Sequence, residues 1–304
     1  MSEKYPKLLK LPYLPAELVA LNTQDDADMF NWCRLNGGAC SNTELWRERI
    51  RMRYGSRAVK LVLRTYGSSY DRWYISEESR MLSSLYEGRI GLGSLRLDNV
   101  DGFFKKGWLV LIDYLRDHLN ELQPFFRETR LHDTSNFSAD YIFKAASAGQ
   151  GELVKMLIED YGLNPNDSKW SPVGGAAKAK RFDLIEYLLP LCTFAHSWFV
   201  YSAMSGSIEV FEYFLQRYPD LEDIQGMGSD TFAWACETGG VRMIEYLIKR
   251  GYTPQTYDSF LIAFNVAKSN DPEVYRYLLN IVGFELDQEV VMHYATPEMK
   301  AALN

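Results

Sequence analysis

The chain has 304 residues, of which 47% are hydrophobic, 14% aromatic and 24% charged, a composition typical of a globular protein. Its 33 Lys and Arg residues against 40 Asp and Glu give a net charge of -7, which disfavours binding to nucleic acid or to an anionic membrane. The four cysteines include no Cys-x-x-Cys pair and no run of about 18 uncharged apolar residues is present, so we expect an intracellular, cytoplasmic protein without a membrane segment.

Residues 1–55 carry the signals of three short helices. Leu14-Pro15-Ala16-Glu17-Leu18 places a proline in the first turn of a helix, residues 29–36 precede a glycine pair, and residues 45–50 begin another helix. The LPxEL opening and the closing LWR resemble the F-box. The run CRLN at 33–36 resembles the F-box-like variant that precedes ankyrin repeats in proteins of large DNA viruses.

This resemblance implies that the N-terminal module binds a Skp-type adaptor of cullin-RING ubiquitin ligases. A viral protein of this kind would act on host targets in the cytoplasm of the host cell. The residues that match the motif, and that would contact the adaptor, are Leu14, Pro15, Leu18, Leu45 and Trp46. A second interpretation is that residues 1–55 form only a helical cap that shields the first repeat.

Residues 56–100 are interpreted as a helical bridge or as degenerate repeats, because their apolar residues have roughly helical spacing. A degenerate unit follows, with Phe104 and Gly107 ahead of an apolar block at 111–115. The next unit has its corresponding glycine at Gly149, 42 residues after Gly107, which indicates an inserted loop within residues 123–136.

One sequence block recurs from residue 153 onward. The blocks begin at Leu153, Leu184, Val210, Met243 and Val274, at steps of 26–33 residues, and each places apolar pairs four residues apart. Upstream of each block stands a small residue, followed three places later by Gly or a polar substitute: Ala146 and Gly149, Ala177 and Lys180, Ala203 and Gly206, Cys236 and Gly239, Ala267 and Asn270. Each unit is therefore predicted to be a short helix, a tight turn and a longer amphipathic helix.

These units resemble ankyrin repeats. The run SPVGGAA at 171–177 resembles the family's TPLHLAA opening, and GLNPN at 162–166 resembles its GADPN hairpin tip. The resemblance implies an all-α fold in which an ankyrin-repeat solenoid over residues 101–288, with five clear repeats and one degenerate repeat, follows the F-box-like module. Residues 289–304, with a helix start at Thr296-Pro297-Glu298, are predicted to form the C-terminal cap.

Ankyrin-repeat proteins bind partners through their hairpin tips and the concave face of their short helices. When the units are aligned on the small residue, that face carries aromatic residues with basic neighbours, the composition of interface hot spots. The residues predicted to bind a protein target are Trp170, His196, Trp198, Tyr201, Trp234 and Phe260, with Lys169 and Arg181 beside them. For Trp234 and Phe260, packing between repeats is an equally good interpretation.

Motifs for catalysis or cofactor binding are not apparent. The histidines His118, His132, His196 and His293 are scattered without metal-binding spacing, and neither phosphate-binding glycine motifs nor a nucleophile elbow occurs. We expect no catalytic residue, no metal site and no cofactor. The predicted function is that of a monomeric, non-catalytic adaptor whose repeats bind a protein target while its N-terminal module recruits ubiquitin-ligase machinery. The alternative is a plain ankyrin scaffold or inhibitor in which the N-terminal helices act only as a cap.

Overall fold

The computed structural model describes residues 43–95, 97–118, 137–193, 197–219, 227–252, 254–269 and 271–303. These residues form helices and loops without a β-strand, which confirms the all-α prediction for the described part of the chain. No helix within these ranges is both long enough and apolar enough to cross a bilayer. The predicted helix at 14–18 and the predicted insertion at 123–136 lie outside the described residues.

The chain divides into two compact units, residues 1–136 and 137–304. Within its described part, the first unit has five helices: α1 Thr43–Tyr66, α2 Tyr70–Tyr74, α3 Glu77–Tyr86, α4 Leu97–Lys106 and α5 Leu109–Asp117. Gly55 has the non-helical values φ 88° and ψ 172° and therefore separates α1 into two helical segments. Only glycine adopts this conformation without strain. Helix α1 packs against α2 and α5, and α3 packs against α5.

Helices α4 and α5 are the pair that the sequence predicts as a degenerate repeat. Phe104 is fully buried and Gly107 turns the chain at φ 67°. The pair belongs to the first compact unit and not to the stack of pairs that begins after residue 136. The predicted domain boundaries at 55 and 288 remain predictions.

A buried carboxylate joins three elements of the first unit. The Glu78 side chain on α3 accepts hydrogen bonds from the indole Nε1 of Trp73 at 2.7 Å and from the backbone N–H groups of Val110 and Leu111 at 2.8 and 3.1 Å. These two N–H groups lie in the first turn of α5, where a helix has donors without intrahelical acceptors. Burial raises the pKa of Glu78 to about 7, although the three donors favour its charged form.

The second unit is a stack of helix pairs. We call the first helix of each pair its inner helix and the second its outer helix. The inner helices are α6 Asp140–Ser147, α8 Pro172–Lys178, α10 Ser197–Met204, α12 Met227–Thr238, α14 Ser259–Ser269 and α16 Gln288–Tyr294. The outer helices are α7 Gly151–Lys155, α9 Phe182–Leu188, α11 Ile208–Arg217, α13 Gly240–Lys249, α15 Pro272–Arg276 and α17 Pro297–Leu303. Helices α7 and α15 continue as π-helical turns, Met156–Asp160 and Tyr277–Val282, and α9 continues as the 3-10 turn Leu189–Leu191. Each inner helix packs against the next inner helix.

The small residues of the inner helices allow this close stacking, as the sequence predicts. All five are fully buried: Ala146, Ala177, Ala203, Cys236 and Ala267. The predicted left-handed turn residues Gly149, Lys180 and Gly206 have φ values of 72°, 57° and 67°. In the fourth pair, however, the left-handed residue is Gly240, at φ 74°, and not Gly239.

Gly239 is required for a different reason. A Cβ atom at this position would lie 2.5 Å from the carbonyl oxygen of Ala203 on the neighbouring inner helix. The glycine therefore allows the turns of two successive pairs to touch, and the next residue takes over the reversal of the chain.

The recurring tyrosines of the outer helices connect successive pairs. The Tyr187 hydroxyl donates to Glu159 at 2.9 Å, and Tyr213 and Tyr246 donate in the same way to Glu186 and Glu212 of the preceding pair. Burial, reinforced by these carboxylates, raises the pKa of Tyr213 and of Tyr246 to about 12. The tyrosine repeat in the sequence is therefore a structural feature of the outer face.

Candidate functional site

A groove of about 830 Å³ opens across the inner helices α6, α8, α10 and α12. We name it the inner groove. Its walls carry four residues that the sequence predicts as partner-binding, Lys169, Trp170, Tyr201 and Trp234, together with residues that were not predicted, among them Phe143 and Lys178. Half of the predicted partner-binding set is thus brought together in one place.

Two glycines of α8 explain why aromatic rings gather here. A Cβ atom on Gly174 would lie 2.2 Å from Cδ2 of Tyr201, and one on Gly175 would lie 3.0 Å from the carbonyl oxygen of Phe143. Because α8 has no side chain at either position, α6 and α10 approach it from both sides. The rings of Phe143 and Tyr201 meet there with centroids 5.5 Å apart. Burial raises the pKa of the Tyr201 hydroxyl, which keeps this ring neutral.

Trp170 lies on the loop before α8, and an acidic side chain of α6 holds this loop. Oδ1 of Asp140 accepts from the backbone N–H of Lys169 at 2.6 Å and from the Ser168 hydroxyl at 3.3 Å. The Trp170 ring lies 6.3 Å from the ring of Phe143 and remains 50% exposed. The Lys169 ammonium lies 5.4 Å from the centroid of the Trp170 ring, within cation–π range. The loop therefore presents an indole whose position is fixed while one side stays open to solvent.

Trp198 is buried within the stack, and its predicted partner-binding role stays a prediction. Its side chain is only 4% exposed, and it packs against Phe214 and Tyr218 with ring centroids 5.7 and 5.2 Å away. Its Nε1 donates to the hydroxyl of Ser171 at 3.1 Å, and Ser171 caps the N-terminus of α8. Trp198 therefore supports the Trp170 loop from beneath.

Arg181, also predicted to bind a partner, links two successive turns of the stack, and its predicted role stays a prediction. Its guanidinium forms a bidentate ion pair with the Asp183 carboxylate, at 2.8 and 2.7 Å, and donates to the carbonyl oxygen of Gly149 at 2.5 Å. These contacts tie the turn between α8 and α9 to the preceding turn, and the hydrogen bonds from Arg181 lower the pKa of Asp183. The residue is a link between pairs and does not line the inner groove.

Phe260 belongs to a second aromatic cluster. It is 51% exposed and lies 6.4 Å from Phe264 and 6.5 Å from Tyr294, on α14 and α16. This cluster does not contribute to the inner groove. The predicted residue His196 lies outside the described residues.

The N-terminal prediction is only partly covered by the structure. Leu14, Pro15 and Leu18 lie outside the described residues, whereas Leu45 and Trp46 are 1% and 4% exposed. The Trp46 ring packs 5.0 Å from that of Tyr74 on α2. These two side chains belong to the core of the first unit, and their predicted contact with an adaptor stays a prediction.

The charges at the inner groove are unevenly placed. Lys169 and Lys178, before and at the end of α8, and Asp230, in the first turn of α12, are all exposed and line the groove. None of the three forms an ion pair with another residue in the described part of the chain. Cys192 lines the same groove, and burial raises the pKa of its thiol to about 11. The groove therefore combines aromatic surface with point charges, which is a composition suited to binding.

Comparison with protein-family models, with curated proteins and with solved structures finds no match for this chain. The described residues contain no group of three or more His, Cys, Asp or Glu side chains placed to hold a metal ion.

Sequence reasoning missed Phe143, Asp140, Lys178 and Asp230. The signal that could have found them is the Gly174-Gly175 pair, in an inner helix whose neighbours carry Phe143 and Tyr201 at comparable positions. Two adjacent glycines within a helix are unfavourable unless another group needs the space. Such a pair therefore indicates a close approach of the neighbouring helices.

Proposed function

We propose that this chain is a protein-binding adaptor of the ankyrin-repeat kind and that the inner groove holds its target. The observation that carries this proposal is the inner groove, which is lined by Trp170, Tyr201 and Trp234 and by exposed charged residues. Gly174 and Gly175 of α8 allow the neighbouring helices to approach there. Rigid aromatic side chains bind with a small entropy cost, because few rotatable bonds are immobilised. Support for the ankyrin assignment comes from the recurring block, the GLNPN tip and the stacked helix pairs.

The test is affinity capture of targets by the full chain and by a variant with Trp170→Ala and Trp234→Ala. Loss of an interface tryptophan typically costs 1–2 kcal/mol or more, so the double change should lower target affinity by about 100-fold. The matched control is Phe182→Ala, an aromatic residue that is 40% exposed on the outer helix α9. This control should leave capture unchanged.

Circular dichroism and thermal unfolding separate binding from folding in this experiment. Trp170 is half exposed, and both variants should keep the helical signal of the parent chain. If the tryptophan variant folds and captures targets as well as the Phe182→Ala control, the groove is not the binding site. If it unfolds, the two rings are core residues and the proposal fails for that reason.

We further propose that residues 1–55 recruit a Skp-type ubiquitin-ligase adaptor, so that the captured target is modified by proximity. Support for this part comes from the sequence, in the LPxEL opening, the CRLN run at 33–36 and the closing LWR. Purified full chain should retain the adaptor, and Leu14→Glu with Leu18→Glu should abolish retention. Leu63→Glu, at a leucine that is 51% exposed on α1, is the matched control.

The burial of Leu45 and Trp46 favours a second candidate function. In that candidate the N-terminal segment is structural, and the chain is a scaffold or inhibitor that acts through the inner groove alone. Retention of no adaptor by the intact chain, with target capture intact, would support the scaffold and contradict the ligase proposal.

A further inference from the structure

The charge pattern of the inner groove narrows the chemistry of what it binds. Residues 137–304 contain 13 Lys and Arg against 22 Asp and Glu, so the second unit as a whole is strongly acidic. The groove departs from this background, because two of its exposed charges are the lysines Lys169 and Lys178. Neither ammonium is neutralised by an ion pair with a described residue, and both are available to a bound anion.

The opposite charge lies at the other end. Asp230 belongs to α12, two inner helices further along the stack than α8, and it too forms no ion pair with a described residue. Between the two ends lies α10, which contributes Tyr201 and other apolar side chains, whereas Trp234 is on α12 with Asp230. The groove is therefore cationic at α8, aromatic in the middle and anionic at α12.

The length of the groove sets a spacing for its occupant. Packed helices lie about 8–10 Å apart, so the two steps from α8 to α12 cover roughly 16–20 Å. An extended chain advances about 3.3 Å per residue, and roughly five or six residues cover that distance.

We propose that the inner groove binds an extended segment of a partner protein with acidic residues at one end and a basic residue about five or six positions away. Apolar or aromatic residues of the segment lie between these charges. The acidic end pairs with Lys169 and Lys178 beside Trp170, the middle packs against Tyr201, and the basic residue pairs with Asp230 beside Trp234. This inference rests on the proposed function, because it specifies the ligand of the same groove.

The charge pattern also separates this ligand from others. A nucleic acid strand would meet the lysines but would place phosphates against Asp230 and within the field of an acidic unit. A uniformly acidic peptide has the same difficulty. A segment with opposite charges at its two ends satisfies all three groups and fixes the direction in which the segment lies.

The experiment selects, from a displayed library of random 12-residue peptides, those that bind the full chain. Peptides that also bind the variant with Trp170→Ala and Trp234→Ala are then removed. The expected peptides carry Asp or Glu and, about five or six positions away, Lys or Arg, with apolar or aromatic residues between. Fluorescence anisotropy with a labelled selected peptide then measures affinity. Lys178→Glu and Asp230→Lys should each weaken binding about three- to tenfold at low salt, and less at high salt.

Charge exchange within the peptide completes the test. Replacing its basic residue by Glu should restore binding to the Asp230→Lys variant, while Lys249→Glu on the outer helix α13 should leave every affinity unchanged. Peptides that depend on the two tryptophans but show no charge pattern, are uniformly acidic, or bind the charge variants equally well would overturn this inference and leave the groove as the binding site. Recovery of no peptide that depends on the tryptophans would contradict the proposed function itself.

Discussion

Gly174→Ala is a direct test of how the inner groove is built. The added Cβ would lie 2.2 Å from Cδ2 and 2.9 Å from Cε2 of Tyr201, far inside the contact distance of two carbon atoms. The ring must therefore move, and it can move only away from α8, into the groove or toward Phe143. We expect the substitution both to destabilise the second unit and to narrow the groove.

The magnitude follows from two opposing effects. Forcing extra volume into a packed contact costs about 1–3 kcal/mol. Replacing glycine by alanine inside a helix contributes about 0.5–1 kcal/mol in the other direction. The net loss of stability should be about 0.5–2 kcal/mol in the parent chain. In a Tyr201→Ala background the clash is gone, and the same substitution should stabilise by about 0.5–1 kcal/mol.

The assay is a double-mutant cycle measured by urea unfolding with circular dichroism, in which the coupling between positions 174 and 201 should be about 1–3 kcal/mol. Gly102→Ala in α4 is the matched control, because a Cβ atom there meets no atom within 4 Å. It should show only the helix-propensity gain. An equal loss of stability from Gly174→Ala with and without the Tyr201 ring would refute the conclusion that Gly174 is needed to accommodate this ring.

Three further predictions concern stability. Because the pKa of Glu78 is raised from 4.5 to about 7, its contribution to the free energy of unfolding is fully present below pH 4.5 and is lost as the pH rises through 7. The loss should be about 3 kcal/mol. Glu78→Gln should remove this pH dependence from the free energy of unfolding measured between pH 4 and 8. Lys180→Gly should stabilise by up to about 1 kcal/mol because Lys180 has a φ of 57°, whereas Lys180→Ala, which keeps the Cβ, should give no gain. Tyr246→Phe should cost about 1 kcal/mol by removing the hydrogen bond to Glu212, and equal stability of both chains in urea unfolding would contradict this.

The helix pairs could be predicted from the sequence because their signals are local. Apolar pairs four residues apart, a small residue and a following glycine each act within one or two turns of chain, and all of them recur. The shift of the left-handed residue from Gly239 to Gly240 could not be predicted, because both candidates are glycine. The choice depends on the contact of Gly239 with Ala203, which lies in another pair.

Whether an individual ring is buried or lines the groove was the least predictable part of the site. Trp198 and Tyr201 are three residues apart on α10, so helical spacing places them on nearly the same face. Trp198 is nevertheless buried against Phe214 and Tyr218, while Tyr201 lies over Gly174 at the groove. The difference is decided by side chains on α8 and α11, which no pattern within α10 contains.

Recurring and non-recurring positions in this stack have different structural explanations. A residue that recurs in successive pairs, such as Tyr213 or Tyr246 with its glutamate, serves an interface that also recurs, and its conformation is explained by the stacking alone. Gly174 and Gly175 occupy inner positions at which neighbouring helices carry larger residues, and an unsupported glycine pair would weaken α8. Stacking does not require that loss, since the other inner helices stack without it. Gly174 makes room for the ring of Tyr201, and Gly175 makes room for the backbone of α6 at Phe143. The inner groove opens beside these contacts, so the departure from the repeat is where binding is to be sought.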